Sequence, residues 1–298
     1  MHASSAPPTP PTPGREELAD GRMPFLEHLR ELRDRVRNSV IYLIIGFGIC
    51  YAFSQQIYAF LARPLVLVWL DLAENNPAVG VPSFQFKSLI EPFWTYFSVA
   101  LWAGFFVASP FIFFELWRFI APGLYKKERR YGVAFAICSA LLFACGAAFC
   151  YAIIQPIVFD FLLSYSSESI SDMSTPLGTY SLDVDVALKP QLFMKEFLDI
   201  SRKLLLAFGL VFELPLAIFF LSVIGVVNHR SLIKFSRWMI VVSVVISAVL
   251  TPPDVFSQVL LAGPILVMYF LSIGISFLIT RAREARERAA EKGTEKIS

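Results

Sequence analysis

Six long apolar stretches constrain this chain more than any other feature, at about residues 40–61, 93–114, 132–157, 204–227, 238–250 and 255–279. A bilayer's hydrocarbon core is about 30 Å thick, and about 20 apolar helical residues cross it. Within lipid every backbone N–H and C=O has to find a partner, which a helix provides for itself and a loop does not. The chain is 56% hydrophobic, above the ~45–50% of soluble domains. The sequence therefore predicts an all-α polytopic membrane protein of six transmembrane helices. One membrane domain spans residues 21–280, with a disordered Pro-rich tail at 1–20 and a charged tail at 281–298.

The connecting segments carry the charge. Phe25, Leu29, Leu32 and Val36 recur at helical spacing among charged residues, which predicts an amphipathic surface helix running into the first span. Arg63-Pro64 is read as the end of that span, and Lys195 to Lys203 as a short amphipathic helix before the fourth. Of the 26 Lys and Arg residues, 20 fall in the two termini and in the segments after the second and fourth spans. Positive charge marks the cytoplasmic side, so both termini are expected there. The fifth run, Trp238–Leu250, has 13 residues, about 20 Å of helix. Either it borrows flanking residues or thins the bilayer, or it is buried among the other spans.

A polar hinge, residues 115–131, separates the second and third spans and holds five basic residues with Glu115 and Glu128. Glu115 either adds negative potential there or pairs with Arg118. Glu31 is four residues from Arg35, so an ion pair is one reading of it. The other is that Glu31 and Glu128 receive a basic ligand, since carboxylates take guanidinium through paired hydrogen bonds. Glu213 is the acidic residue placed deep within a span, two residues before Pro215. Ionisable groups there are expensive and default to function. Asp254 suits the N-cap of the sixth span, and Thr251 and Gln258 add a polar cluster beside it. The four cysteines lie in apolar runs without CxxC spacing, and the three histidines lack a nucleophile or metal set. Neither enzymatic chemistry nor a cofactor or metal is expected, nor is nucleic-acid binding.

Several motifs together resemble the TatC family, the signal-peptide receptors of twin-arginine protein translocases. They are Phe25-Leu-Glu-His-Leu-Arg-Glu-Leu-Arg33, Glu91-Pro-Phe93, Ser109-Pro110, the hinge from Trp117 to Arg130, Phe212-Glu-Leu-Pro215, and Leu250-Thr-Pro-Pro-Asp-Val-Phe-Ser-Gln258. The resemblance runs in order from about residue 23 to 280. It implies a concave, glove-like bundle in the bacterial inner membrane. It also implies binding of twin-arginine signal peptides of folded cargo, single-span TatA- and TatB-type partners, self-association in the complex, and export driven by the proton-motive force. Residue by residue, Glu31, Glu128, Leu32, Arg33, Phe119 and Pro122 match its signal-peptide positions. Glu213 matches its intramembrane polar residue, Pro64 and Asp254 its external-side positions, and Thr251 and Gln258 its partner-helix cluster. The second external loop is longer than the family pattern, and Glu115 stands where many relatives have Gln. From the residues alone, the competing function is a proton-coupled transporter of a small solute using Glu213.

Overall fold

The apolar runs fold as helices, and their interruptions follow local chemistry. The computed structural model describes residues 25–75, 80–120, 132–164, 172–175, 178–181, 191–250 and 255–295. In chain order the helices are α1 (Phe25–Ala52), α2 (Ser54–Asn75), α3 (Glu91–Ile120), α4 (Gly132–Phe149), a π-helical turn (Cys150–Ile154), α5 (Gln155–Ser164), α6 (Met194–Phe212), α7 (Leu214–Ile224), α8 (His229–Leu250) and α9 (Val255–Glu295). Four short strands lie between them: β1 (Phe84–Gln85), β2 (Asp172–Thr175), β3 (Gly178–Ser181) and β4 (Leu192–Phe193). β1 pairs in parallel with β4, setting Phe84 opposite Leu192, and β2 pairs antiparallel with β3.

Six stretches are long and apolar enough to cross a membrane: Ser54–Glu74, Glu91–Ile120, Gly132–Ser164, Met194–Ile224, His229–Leu250 and Gln258–Ala285. The all-α, six-span architecture is as expected, but the boundaries differ from the sequence reading in three places.

The run at 40–61 is two helices rather than one span. The Phe53 N–H turns back to the Cys50 carbonyl at 3.1 Å, an i→i−3 bond that tightens the last turn of α1. The first part of the run lies along α3, where a Cβ on Gly46 would sit 2.6 Å from the Gly104 carbonyl oxygen. The second part enters α2. There Tyr58, Leu65 and Trp69 pack against the beginnings of α3 and α6 and the end of α5, through Val99, Phe197, Phe159 and Leu163. Pro64 lies inside α2 instead of ending a span. Neighbouring helices make an internal proline tolerable in such packing.

The fifth span is not short. Ser231 and Leu232 donate to the Asn228 carbonyl at 2.9 and 3.1 Å, so α8 begins at His229 and runs for 22 residues, about 33 Å. The basic segment expected as a loop is the first turns of this helix, with Arg230, Lys234 and Arg237 exposed. Likewise, the helix expected over Lys195–Lys203 is continuous with α6. A turn at Glu213 then separates α6 from α7, with Pro215 in the first turn of α7, where its missing N–H costs nothing.

The packing sorts the helix ends. At one end the start of α1 meets the end of α3 through Arg35 and Glu115, and Trp117 packs edge-on against Phe220 of α7 at 5.0 Å. At the same end the Asn228 side chain accepts a hydrogen bond from Thr280 of α9 at 3.4 Å. At the other end Glu91 accepts the N–H of Lys87 at 2.7 Å and of Lys195 at 3.4 Å, and Lys87 pairs with Glu196. Thus Arg30, Arg33, Arg35, Arg118, Arg230 and Lys234 share the first, basic end.

Candidate functional site

The charged turns of α1 and the last turns of α3 build one cluster at the basic end. Arg35 donates from Nη2 to Glu31 Oε1 at 2.9 Å, one helical turn away. Its Nη1 donates to Glu115 Oε2 at 3.0 Å, and Asn38 Nδ2 donates to Glu115 Oε1 at 3.2 Å. Glu115 is only 2% exposed, whereas the Glu31 and Arg35 side chains each keep 17%. Burial weighs against charge on Arg35, but its hydrogen bonds to the two carboxylates outweigh burial and raise its pKa above the usual guanidinium value. Glu31 Oε2 and Arg35 Nε are buried without a hydrogen-bond partner among the described residues, so the cluster retains capacity on both signs of charge.

Of the two roles expected for Glu115, pairing with Arg118 is not the one formed. Glu115 points toward α1, and Arg118 lies over the Phe114 ring at 5.9 Å. An apolar groove of about 330 Å³ adjoins the cluster, lined by Leu32, Val36, Phe113, Leu116 and Phe119. Phe119 also stacks on His28, with ring centroids 4.4 Å apart. Glu31, Leu32 and Phe119 are therefore brought together. Arg33 is not: its side chain is 76% exposed, 3.6 Å from Asp34. Pro122 and Glu128 lie outside the described residues.

A second polar chain starts from the same end of α3. Trp117 Nε1 donates to Ser139 Oγ at 2.8 Å, and Ser139 Oγ donates to Glu213 Oε2 at 2.9 Å. Residues two apart on a helix differ by about 200° in direction, so Glu115 faces α1 while Trp117 faces α4 and α7. Glu213 Oε1 makes no hydrogen bond among the described residues. Desolvating a carboxylate without full pairing is costly. Glu213 keeps this position because the turn between α6 and α7 sets it beside Ser139. Asn38 and Ser139 belong to no motif in the sequence, and Trp117 enters there as the start of the hinge motif without a role of its own. A hydroxyl or indole N–H within an apolar run was the available signal, since such groups need partners when buried. Pro64, inside α2, and Gln258, near the start of α9, are not among the residues that make up either cluster. Thr251 and Asp254 fall outside the described residues.

The arrangement suits recognition: a buried and a partly buried carboxylate already hold a guanidinium beside an apolar groove. Comparison with known proteins gives a concordant result. The profile of the family described as Sec-independent protein translocase protein (TatC) matches residues 27–264. The Koribacter versatilis Sec-independent protein translocase protein TatC is 35% identical over 274 residues, 92% of each chain. The Aquifex aeolicus protein of the same name is 34% identical over 267 residues, covering 90% of this chain and 100% of that one. A solved crystal structure of a twin arginine translocase receptor, TatC, superposes with a TM-score of 0.67 at 34% identity, covering 85% of this chain and 99% of the other. On sequence and fold together, the chain belongs to the TatC family of Sec-independent protein translocase proteins.

Proposed function

We propose that this protein is the receptor subunit of a twin-arginine translocase and that it takes the paired arginines of a signal peptide at its basic end. The observation that carries this is Arg35 held between Glu31 and Glu115. A guanidinium already fits that space, with hydrogen bonds at charge-assisted lengths. In the partly desolvated setting such contacts are stronger than in water. Glu31 and Glu128 accept the ligand's arginines. Leu32 and Phe119 line the adjoining groove for its apolar part, while Arg33 and Pro122 shape the rim. The basic end faces the cytoplasm of a bacterial inner membrane, in keeping with the positive-inside rule. Glu213 is the polar point of the concave membrane face, and Pro64 and Asp254 serve the external side. Thr251 and Gln258 receive the helix of a single-span TatA- or TatB-type partner, and copies of the chain associate in the complex. Folded cargo then crosses on the proton-motive force. Family membership speaks against the small-solute transporter reading of Glu213.

The test is photocrosslinking of a twin-arginine signal peptide to the protein in membranes at matched expression. Glu31→Gln or Glu128→Gln is expected to reduce crosslinking roughly tenfold, equivalent to about 1.4 kcal/mol. A twin-lysine peptide should also bind less well, because the ammonium lacks the planar fork. Equal crosslinking in wild type and both variants would return the two carboxylates to a purely structural role.

A further inference from the structure

At the basic end, away from α1 and α3, an open cleft of about 690 Å³ lies between the first turn of α8 and the stretch of α9 that leaves its apolar span. Its walls include Arg230, Arg281 and Arg288, with Glu284 the acidic residue among the lining groups and Phe277 and His229 forming an aromatic side. Among the described residues, none of the three arginines is in an ion pair, although Glu284 is one turn from both Arg281 and Arg288 on the same helix. The His229 ring meets Phe277 edge-on at 5.4 Å, and its Nδ1 is buried with no hydrogen-bond partner among the described residues. Among the described residues, the cleft thus combines three guanidinium groups outside any ion pair, an imidazole nitrogen without a hydrogen-bond partner and one carboxylate. Its net charge is positive even with the histidine neutral.

Its position narrows the occupant. α9 is 41 residues long, about 62 Å, twice the thickness of a hydrocarbon core, so it emerges well beyond the bilayer. The cleft is where it emerges. On the inner side of the cleft the surface turns apolar at once, with Phe277, Leu278 and Ile233 exposed at 45%, 65% and 55%. A ligand seated here would have its anionic part among arginines and its body along a lipid-facing wall.

We propose that this cleft binds the phosphate head group of an anionic diacyl phospholipid, with its acyl chains along Phe277, Leu278 and Ile233. Arginine forks match phosphate oxygens in paired hydrogen bonds. Basic pockets between transmembrane helices at this level take anionic lipid head groups. A free phosphate ion shares the head-group chemistry but makes no use of the apolar wall.

The test is native mass spectrometry of the full chain from detergent, titrated with phosphatidylglycerol, phosphatidylcholine or inorganic phosphate. Phosphatidylglycerol is expected to stay bound roughly tenfold better than phosphatidylcholine. The triple variant Arg230→Gln/Arg281→Gln/Arg288→Gln is expected to lose that preference. Lys234→Gln/Arg237→Gln, which removes charge from the same end outside the cleft, is expected to keep it. Equal retention of the two lipids would overturn the proposal, as would equal loss in both sets of variants. Displacement of the lipid by an equimolar amount of inorganic phosphate would overturn it too, since the acyl chains would then contribute nothing. If the triple variant does not fold, the three single variants decide. A several-fold loss of phosphatidylglycerol in at least one supports the site, and no loss in any overturns it.

Discussion

Glu115 joins two elements through one carboxylate, taking Arg35 on one oxygen and Asn38 on the other. Breaking a buried pair strands the remaining charge, at a cost of about 3–5 kcal/mol. Arg35 would keep Glu31, so Glu115→Leu should cost less, roughly 2–3 kcal/mol, on the scale for hydrogen bonds to charged groups. Glu115→Gln should cost less still, because the amide oxygen can accept from Arg35 or Asn38. Denaturant unfolding in detergent checks both, and equal stability of Glu115→Leu and wild type would remove Glu115 from the framework. The two halves of this cluster differ in how far the sequence revealed them. Glu31 and Arg35 are four apart on one helix, a spacing that brings side chains together whatever the tertiary fold. Arg35 and Glu115 are 80 residues apart, and Ser139 and Glu213 are 74 apart. No local periodicity encodes such pairs. Arg118, three residues from Glu115, was the plausible local partner and is not the partner formed.

Helix ends were the least legible elements. The basic residues at 230–237 read as a loop because charge is expected outside the hydrocarbon. Yet a helix can carry charge on its first turns when those turns stand in the head-group region. The break at Phe53 was hidden for a different reason, since Ser54-Gln55-Gln56 is only a brief polar interruption of an apolar run and no proline or glycine marks the turn. The contact of α1 with α3 rests on two glycines. A Cβ at Gly104 would lie 2.5 Å from the Phe47 nitrogen and 2.8 Å from the Gly46 carbonyl carbon, and backbone atoms cannot swing aside. Small residues let helices approach this closely in membranes. Gly104→Ala should therefore push α1 from α3 and destabilise the protein by about 1–3 kcal/mol. Gly48→Ala is the control, because a Cβ there has nothing within 4 Å. Gly48→Ala should leave the melting temperature within a degree or two of wild type. Equal melting temperatures for both variants would show that the α1–α3 contact can relax.

Across the whole molecule, the sorting of helix ends makes a prediction that a membrane can answer. With the native cysteines replaced, a cysteine at position 87 should react with an impermeant maleimide added to intact cells. One at position 234 should react only after permeabilisation. The reverse result would invert the orientation while leaving the fold intact. The number of spans was legible, because apolar length is a property of each segment alone. The joining of the segments was not, because it depends on contacts between residues distant in the chain. That separation also has a meaning in time. α1 leaves the ribosome before α3 does, and chains grow at about 5–20 residues per second. The 80 residues between Arg35 and Glu115 thus amount to roughly 4–16 s at that rate. Through that interval the growing chain carries half of its clamp, with Glu31 holding Arg35 from the same helix until α3 delivers the second carboxylate.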